Sequence, residues 1–573
     1  MSKSEDMSRL QAAQLLAQAV QRKFEGAKLG GGALTAQGFA CDFDVPRPLT
    51  EEDLAALEDE MRRIASAGAP AAVRRMPREE AVRLFEARGE PWKTELLHEG
   101  EASDEVAIYE REEFADVWPD DGLRPEAAAA PPAFRLLHAA GAYWRGDSRN
   151  PVLQRVHGVA FAGSAELDAW LARHEEAQKR DHRKLGKQLE LFMFAEEAPG
   201  MPFYLPKGAV VRQELENLAR RFLRKYGYEE VRTPFLMDRQ MWEQSGHWEH
   251  YRDNMYFSEL EDRHWAVKPM NCPGHMLLFR SSLRSYRDLP IRLAEFGQVH
   301  RHEFSGALNG LFRVRTFCQD DAHIFVRPDQ IEQEMLRTIA LIREMYDLFG
   351  FDYAVELSTR PADSMGSDEQ WKAAEAALAK VLEESGLAFR INPGDGAFYG
   401  PKIDFHIKDA LERSHQCGTI QLDFQMPEKF GLSYVDEKNE KRTPIVIHRA
   451  VYGSIDRFFG ILIEHFAGAF PVWLAPVQVT VLPVSEQHAA YGEEVCEALR
   501  SVGVRAAMDS RNEKLGYRVR EAQLQKIPYL AVVGDAEQAA RSVQVRARGE
   551  QRRQSFGLEE FRSRLLAEIR IGD

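Results

Sequence analysis

Apolar positions recur every three to four residues in some stretches of the chain and every second residue in others. In residues 7–20, MSRLQAAQLLAQAV sets Leu10, Ala13 and Ala17 on one side of a helix, and Gly30, Gly31 and Gly32 close that region off. Residues 50–66 and 77–87 also predict helices, with strands near 39–45 and 107–109. The segment PDDGLRPEAAAAPP, residues 119–132, has no apolar period and predicts a loop. Residues 164–190 read as one charged helix whose second half collects Lys and Arg. In VVRQELENLARRFLRKYGY, Val211, Leu215, Leu218 and Phe222 share a helical face, and Gly227 stops the helix before a strand, EEVRTPFL. The central EFGQVHRHEFSGALNGLFRVRTF predicts a strand to Phe304, a loop over 305–310 and a returning strand to Phe317. RAVYGSIDRFFGILIEHFAG predicts a strand running into a long apolar helix. After Pro471 and Pro476, strands and helices alternate in a small α/β region.

Length and composition narrow the class. A chain of 573 residues is long enough for roughly three or four domains. It has no apolar run of the roughly 18 residues a membrane span requires, and MSKSEDMSRL is too polar for a secretory signal, so a soluble cytoplasmic protein is expected. Five scattered cysteines argue against a disulfide framework. The net charge of −15 argues against a uniformly basic nucleic-acid binder but leaves room for local basic surfaces.

The candidate chemistry lies in residues 268–325, which mix a cysteine, histidines, arginines and paired aspartates. Arg301 on the outgoing arm and Arg313 or Arg315 on the returning arm can converge on one anionic ligand, and guanidinium forks suit phosphate; solvated arginines are the alternative. Cysteine and histidine suit zinc with one position left open, but their wide spacing along this chain does not identify a metal site by arithmetic. Gly453 and Gly460 predict close packing.

The order KPMNCPGH, HRHE, FRVRTFCQDDAH, GAFYGPKIDF, HQCGTIQLDF and VIHRAVYGSIDRFFG resembles bacterial threonyl-tRNA synthetases, which are class II aminoacyl-tRNA synthetases. The resemblance runs nearly the length of the chain. It implies a multidomain α/β (α+β) protein: an editing-like domain at 1–163, a linker helix at 164–190, a class II catalytic domain on an antiparallel sheet at 191–472, and an α/β anticodon-binding domain at 473–573. It further implies that threonine is activated with ATP and Mg2+ and transferred to threonine-specific tRNA by a homodimer formed through the helix and strand around Pro234. Cys272, His323 and His448 would hold one Zn2+ per subunit. Arg301, Arg313 and Arg457 would contact the nucleotide, with Gln416 and Thr419 nearby. Gln319, Asp321, Tyr399, Lys402 and Gln421 would line the threonine and adenylate pocket, and Asn512, Arg520, Glu537 and Arg546 would read the anticodon. The linker helix would either run beside tRNA or be merely solvated.

The same resemblance exposes a departure. Where the family's editing domain carries two helix histidines this chain has Leu10 and Gln14, and where it carries a later cysteine and histidine it has Trp118 and Gly122; Lys93 and Asp116 are kept. Leucine, tryptophan and glycine cannot act as a general base or position a water, so an editing scaffold without hydrolytic chemistry is expected. The chain also starts too late to include the small ubiquitin-like domain that often precedes editing, so that domain is expected to be absent. Within the ligase reading, a second or inhibitor-resistant copy and dependence on trans-editing both stay open. Outside it stand an enzyme loading threonine onto a carrier and a non-catalytic tRNA-binding regulator.

Overall fold

The structure is a computed structural model that describes residues 3–35, 38–99, 104–118, 131–147 and 149–570. The chain divides into two compact units, Met1–Glu175 and Glu176–Asp573.

In the first unit an antiparallel sheet runs in the order Lys28–Leu34, Gly38–Asp44, Val152–Phe161, Ala133–Tyr143. The helices Lys3–Lys23 and Glu51–Ser66 supply apolar side chains to one core with this sheet, including Leu10, Leu57 and Phe39. Thr50 begins the second helix: its hydroxyl accepts the Asp53 N–H while the Asp53 carboxylate accepts the Thr50 N–H, satisfying two end groups. A three-stranded sheet, Ala72–Pro77, Glu105–Arg111 and Phe114–Trp118, completes the unit. The predicted loop at 119–132 lies outside the described residues except at its last two positions.

The second unit is built on an eight-stranded sheet ordered Glu229–Glu230, Ile291–His300, Thr316–Val326, Ile445–Ser454, Ser414–Asp423, Lys402–Lys408, Asp352–Ser358, Phe389–Asn392, antiparallel except at its two ends. Helices Pro206–Tyr226, Ile331–Phe349 and Ile455–His465 bury Leu215, Ile342 and Ile461 in the core beneath it. Gly227 ends the first of these at φ 72°, a left-handed position that favours glycine. At the C-terminal end a separate five-stranded sheet runs Ala506–Met508, Val479–Pro483, Tyr529–Val533, Ser542–Ala547, Gln554–Gly557.

The strand after Gly227, read as interrupted by proline, is two pieces, Glu229–Glu230 and Leu236–Asp238, with the Thr233 N–H between them taken by the Glu295 carboxylate and Pro234 offering no N–H to pair. Two sequence expectations are corrected. The predicted central hairpin opens much earlier: strands Ile291–His300 and Thr316–Val326 are joined by a long connection, 301–315, which the short helix Ser305–Ala307 and side-chain bonds hold in place of a ladder. The helix at 164–190 is two helices, Ser164–Arg180 and His182–Gln188, since the Asp181 carboxylate accepts the Arg183 N–H at 2.8 Å and starts a new one.

Pairing between Thr316–Val326 and Ile445–Ser454 shifts between Gln319 and Asp321, and Asp320 fills the shift by accepting the N–H groups of Val451, Tyr452 and Gly453. Gly453 sits at φ +73°, and a Cβ there would fall 2.6 Å from the Cys417 carbonyl oxygen. Gly453→Ala is therefore expected to lower stability by about 1–3 kcal/mol, read as a fall in the urea unfolding midpoint, whereas alanine at the unconfined Gly549 should cost less.

Candidate active site

Register assembles the site. His323 pairs across the strands with His448, His448 with Gln421, and Gln421 with Lys402. Successive strand side chains alternate between faces, so these pairs, with Gln319 and Asp321 four and two residues before His323, share one face. Cys272 reaches them from the first turn of the helix Cys272–Arg280.

Among the described residues, Cys272, His323 and His448 each offer a ligand atom within 4.8 Å of the others, and all three are buried. The outer nitrogens are already engaged. His448 Nε2 donates to Asp423 Oδ2 at 2.9 Å, leaving His448 Nδ1 without a partner. His275 Nε2 donates to Glu295 Oε2 at 3.2 Å, so His275 Nδ1 accepts from His323 Nδ1 at 2.8 Å and leaves His323 Nε2 without a partner. Burial opposes ionisation of Glu295, but bonds from His275, Thr233 and Lys268 hold its carboxyl down at about 2. Burial, with His448, His275 and Arg449 nearby, pushes His323 well below the ordinary imidazole value, so it is a neutral donor. Burial, reinforced by Asp321 and Asp423, pushes the Cys272 thiol well up. Two orphaned imidazole lone pairs and a buried thiol are the donor set of a soft divalent metal. The fit to zinc is good.

Cys272 and His448 of the trio line a cavity of about 960 Å³. Arg301, Arg313, Gln319, Asp321, Tyr399, Lys402, Gln416, Thr419, Gln421 and Arg457 line it, whereas Arg315, the alternative to Arg313, turns to the carbonyls of Glu303 and Pro199. Arg301 Nε donates to the Pro269 carbonyl at 3.2 Å, and its guanidinium lies 5.5 Å and 5.0 Å from the ring centres of Tyr251 and Phe317. Arg313 reaches in from the connection, its Nε on Glu303 Oε2 at 3.0 Å. Arg457, in the first turn of Ile455–His465, keeps a buried Nε with no partner. Tyr399 donates to Gln421 Oε1 at 2.6 Å, and Asn271 Nδ2 donates to Asp321 Oδ2 at 3.1 Å. Burial raises the Asp321 carboxyl above its ordinary value. Lys402 Nζ, Gln416 and Thr419 all converge on Asp404.

Sequence reasoning missed Asp423, Asn271, Asp404 and the His275–Glu295 pair. Asp423 stands two residues beyond Gln421 on the same strand, so alternation carried a signal; nothing in the spacing tied His275 to Glu295.

Elsewhere the suggested residues disperse. In the first unit Leu10 and Trp118 are buried in one apolar core, Trp118 stacked on Tyr109 at 5.3 Å. Gln14 is buried with its Oε1 unpartnered, and Lys93 Nζ pairs with Asp116 Oδ1 at 2.5 Å. Gly122 lies outside the described residues. Near the C-terminus Asn512 and Arg520 are exposed, Glu537 Oε2 accepts the Gly534 N–H, and Arg546 lines a cavity of about 380 Å³ with Lys526.

An antiparallel sheet with three arginines brought to one cavity by its flanking connection and helix, beside a Cys/His/His trio, is the arrangement expected of a class II aminoacyl-tRNA synthetase. The family description "tRNA synthetase class II core domain (G, H, P, S and T)" matches residues 256–466, and "Anticodon binding domain" matches 478–568. The chain belongs to the threonyl-tRNA synthetase family. It is 58% identical to threonine–tRNA ligase 2 of Bacillus subtilis (strain 168) over 97% of this chain and 87% of that protein. It is 51% identical to the threonine–tRNA ligase of Acetivibrio thermocellus over 99% and 89% of the two chains. The crystal structure of the RNA binding domain of threonyl-tRNA synthetase from Cryptosporidium parvum Iowa II superposes with a TM-score of 0.67 at 42% identity, covering 68% of this chain and 98% of that one.

Proposed function

We propose that this chain is a threonine–tRNA ligase that activates threonine with ATP, transfers it to threonine-specific tRNA, and does not itself clear seryl-tRNA. The observation that carries the reading is the cross-strand pairing of His323 with His448 beside Cys272, at the edge of the cavity that receives Arg301, Arg313 and Arg457.

In the first step the threonine carboxylate attacks the α-phosphorus of Mg2+-bound ATP, forming a mixed anhydride as pyrophosphate leaves. The three arginines neutralise the charge that gathers on the phosphoryl oxygens, and the stacked Arg301 is held before substrate arrives. In the second step a terminal ribose hydroxyl of the tRNA attacks the anhydride carbonyl and AMP leaves. Cys272, His323 and His448 would hold a zinc ion, which would supply a Lewis acid for the amino group and hydroxyl of threonine. Gln319, Asp321, Tyr399, Lys402 and Gln421 surround the amino acid and adenylate, with Gln416 and Thr419 towards the nucleotide. Valine would leave Asp321 and the metal without a hydroxyl, a large penalty in a buried site. Serine lacks only a methyl, worth about 1–3 kcal/mol, so the pocket alone rejects it weakly.

That weak rejection gives the first unit its importance. Leu10 and Trp118 fill an apolar core, leaving Lys93 and Asp116 paired without a nearby nucleophile or base from those positions. The remaining parts of the reading are a domain at 1–163 retained as scaffold, a catalytic domain at 191–472 acting as a homodimer, and a domain at 473–573 whose Asn512, Arg520, Glu537 and Arg546 contact the anticodon.

With zinc-loaded protein, threonine-specific tRNA should accumulate both threonyl and seryl esters, and added seryl-tRNA should decay no faster than in buffer. Rapid enzymatic decay would overturn the loss of editing, and failure to charge threonine would overturn the ligase. Asp423→Asn should weaken zinc about 10–100-fold in chelator competition, because the carboxylate orients His448, and Cys272→Ser should lose stoichiometric metal. Unchanged zinc affinity in both variants would remove the metal assignment.

A further inference from the structure

His182 stands at the start of the short helix His182–Gln188, turned inward by the Asp181 cap, and is 1% exposed. Its backbone N–H and its Nδ1 both meet Glu464 Oε1, at 2.9 Å and 2.6 Å. Its Nε2 accepts the N–H of Leu311 at 3.0 Å. A carboxylate on one nitrogen and an amide donor on the other require the tautomer with its proton on Nδ1. Asp181, His182 and Glu464 are close enough to suggest a cation site, but both ring nitrogens are committed, so no lone pair remains for a metal.

Leu311 belongs to the 301–315 connection, two residues before Arg313. Around it the fit is close on every side. The His182 ring centre is 4.2 Å from that of Phe312, and a Cβ on Gly310 would fall 2.1 Å from His182 Nε2. On the opposite side, a Cβ on Gly460 would meet Leu311 and Phe312 at 3.1 Å. Leu311, Phe312 and Arg313 all line the large cavity. Glu464, which anchors His182, is at the far end of the helix whose first turn carries Arg457, and also accepts the Arg413 guanidinium.

We infer that His182 is a positioning residue for the nucleotide site: through the Leu311 N–H it pins the returning arm of the 301–315 connection, setting Phe312 and Arg313 against the helix that carries Arg457. This rests on the proposed reading of that cavity as the ATP site. It gives the segment after residue 180 a function as a strut of the catalytic site. Across the connection the Arg301 N–H donates to the Arg315 carbonyl and Asn309 bridges to Arg313, and the Leu311 N–H goes instead to the external acceptor His182 Nε2.

The test compares His182→Phe, which keeps the ring but removes the acceptor, with His182→Gln, whose amide oxygen can take the Leu311 N–H. Deuterium uptake of a peptide spanning 305–315 in the ligand-free protein should rise for phenylalanine and return towards wild type for glutamine. In threonine-dependent pyrophosphate exchange, KM for ATP should rise about 5- to 100-fold for phenylalanine, as expected for a buried donor left unpaired, with KM for threonine within about twofold. Gly310→Ala, which displaces the same contact from the other side, should reproduce the ATP effect and serves if His182→Phe does not fold. Unchanged uptake in both variants, or equal increases in both KM values, would overturn the inference. A wild-type protein that protects this peptide yet exchanges no pyrophosphate would instead overturn the ligase reading, because uptake reports the contact independently of activity.

Discussion

The constraint on which the catalytic unit depends is the pairing register of its central strands. A slip of one residue between Thr316–Val326 and Ile445–Ser454 would turn every side chain to the opposite face, separating His323 from His448 and withdrawing Asp321 from the cavity. Asp320 fixes that register at the point where it shifts. Its carboxylate, pushed up to about 7 by burial against the pull of Arg449 and the Val451 N–H, gathers three successive backbone donors and points away from the face its neighbours serve. Adjacent aspartates therefore perform different tasks: Asp320 holds the sheet and Asp321 meets the cavity.

Polar satisfaction extends outward from this register. Glu295 and His275 commit the outer nitrogen of His323, Asp423 commits that of His448, and the lone pairs left over face Cys272. An imidazole held in this way costs less to organise when a ligand arrives. The arginine-lined side of the cavity is organised in the same way with weaker means. Its 301–315 connection has almost no ladder, so carbonyl contacts, aromatic faces and the His182 acceptor give it shape. In the first unit, Leu10 and Trp118 satisfy a core rather than a site, and the buried Lys93–Asp116 pair is polar structure without an adjacent reactive group at those positions.

How much of this was legible varied with the range of the interaction. Helices announced by local period and caps, such as Lys3–Lys23, Glu51–Ser66 and Pro206–Tyr226, could be read from the residues themselves. The 301–315 connection could not, because its alternating polar and apolar residues imitate a strand while its bonds go to Gly200, Pro199 and His182 far away in sequence. The break at Asp181 was hidden by continuous helical composition, although an aspartate before HRKLG is a legitimate cap signal. Cys272, His323 and His448 were found by resemblance, since strand pairing creates their proximity and spacing does not. Of the partners that orient them, Asp423 was signalled by strand alternation beyond Gln421, whereas the His275–Glu295 pair is made by a contact between a helix and a strand that spacing does not reveal.

The most direct test of the account is the absorption spectrum of the cobalt(II)-substituted protein, titrated with threonine and separately with valine. The account predicts one cobalt per chain, a thiolate charge-transfer band that disappears in Cys272→Ser, and a change in the visible bands on adding threonine but not valine. A protein that binds no cobalt at this trio, or whose spectrum responds to the two amino acids alike, would contradict the claim that strand register builds a metal site for recognising a hydroxyl.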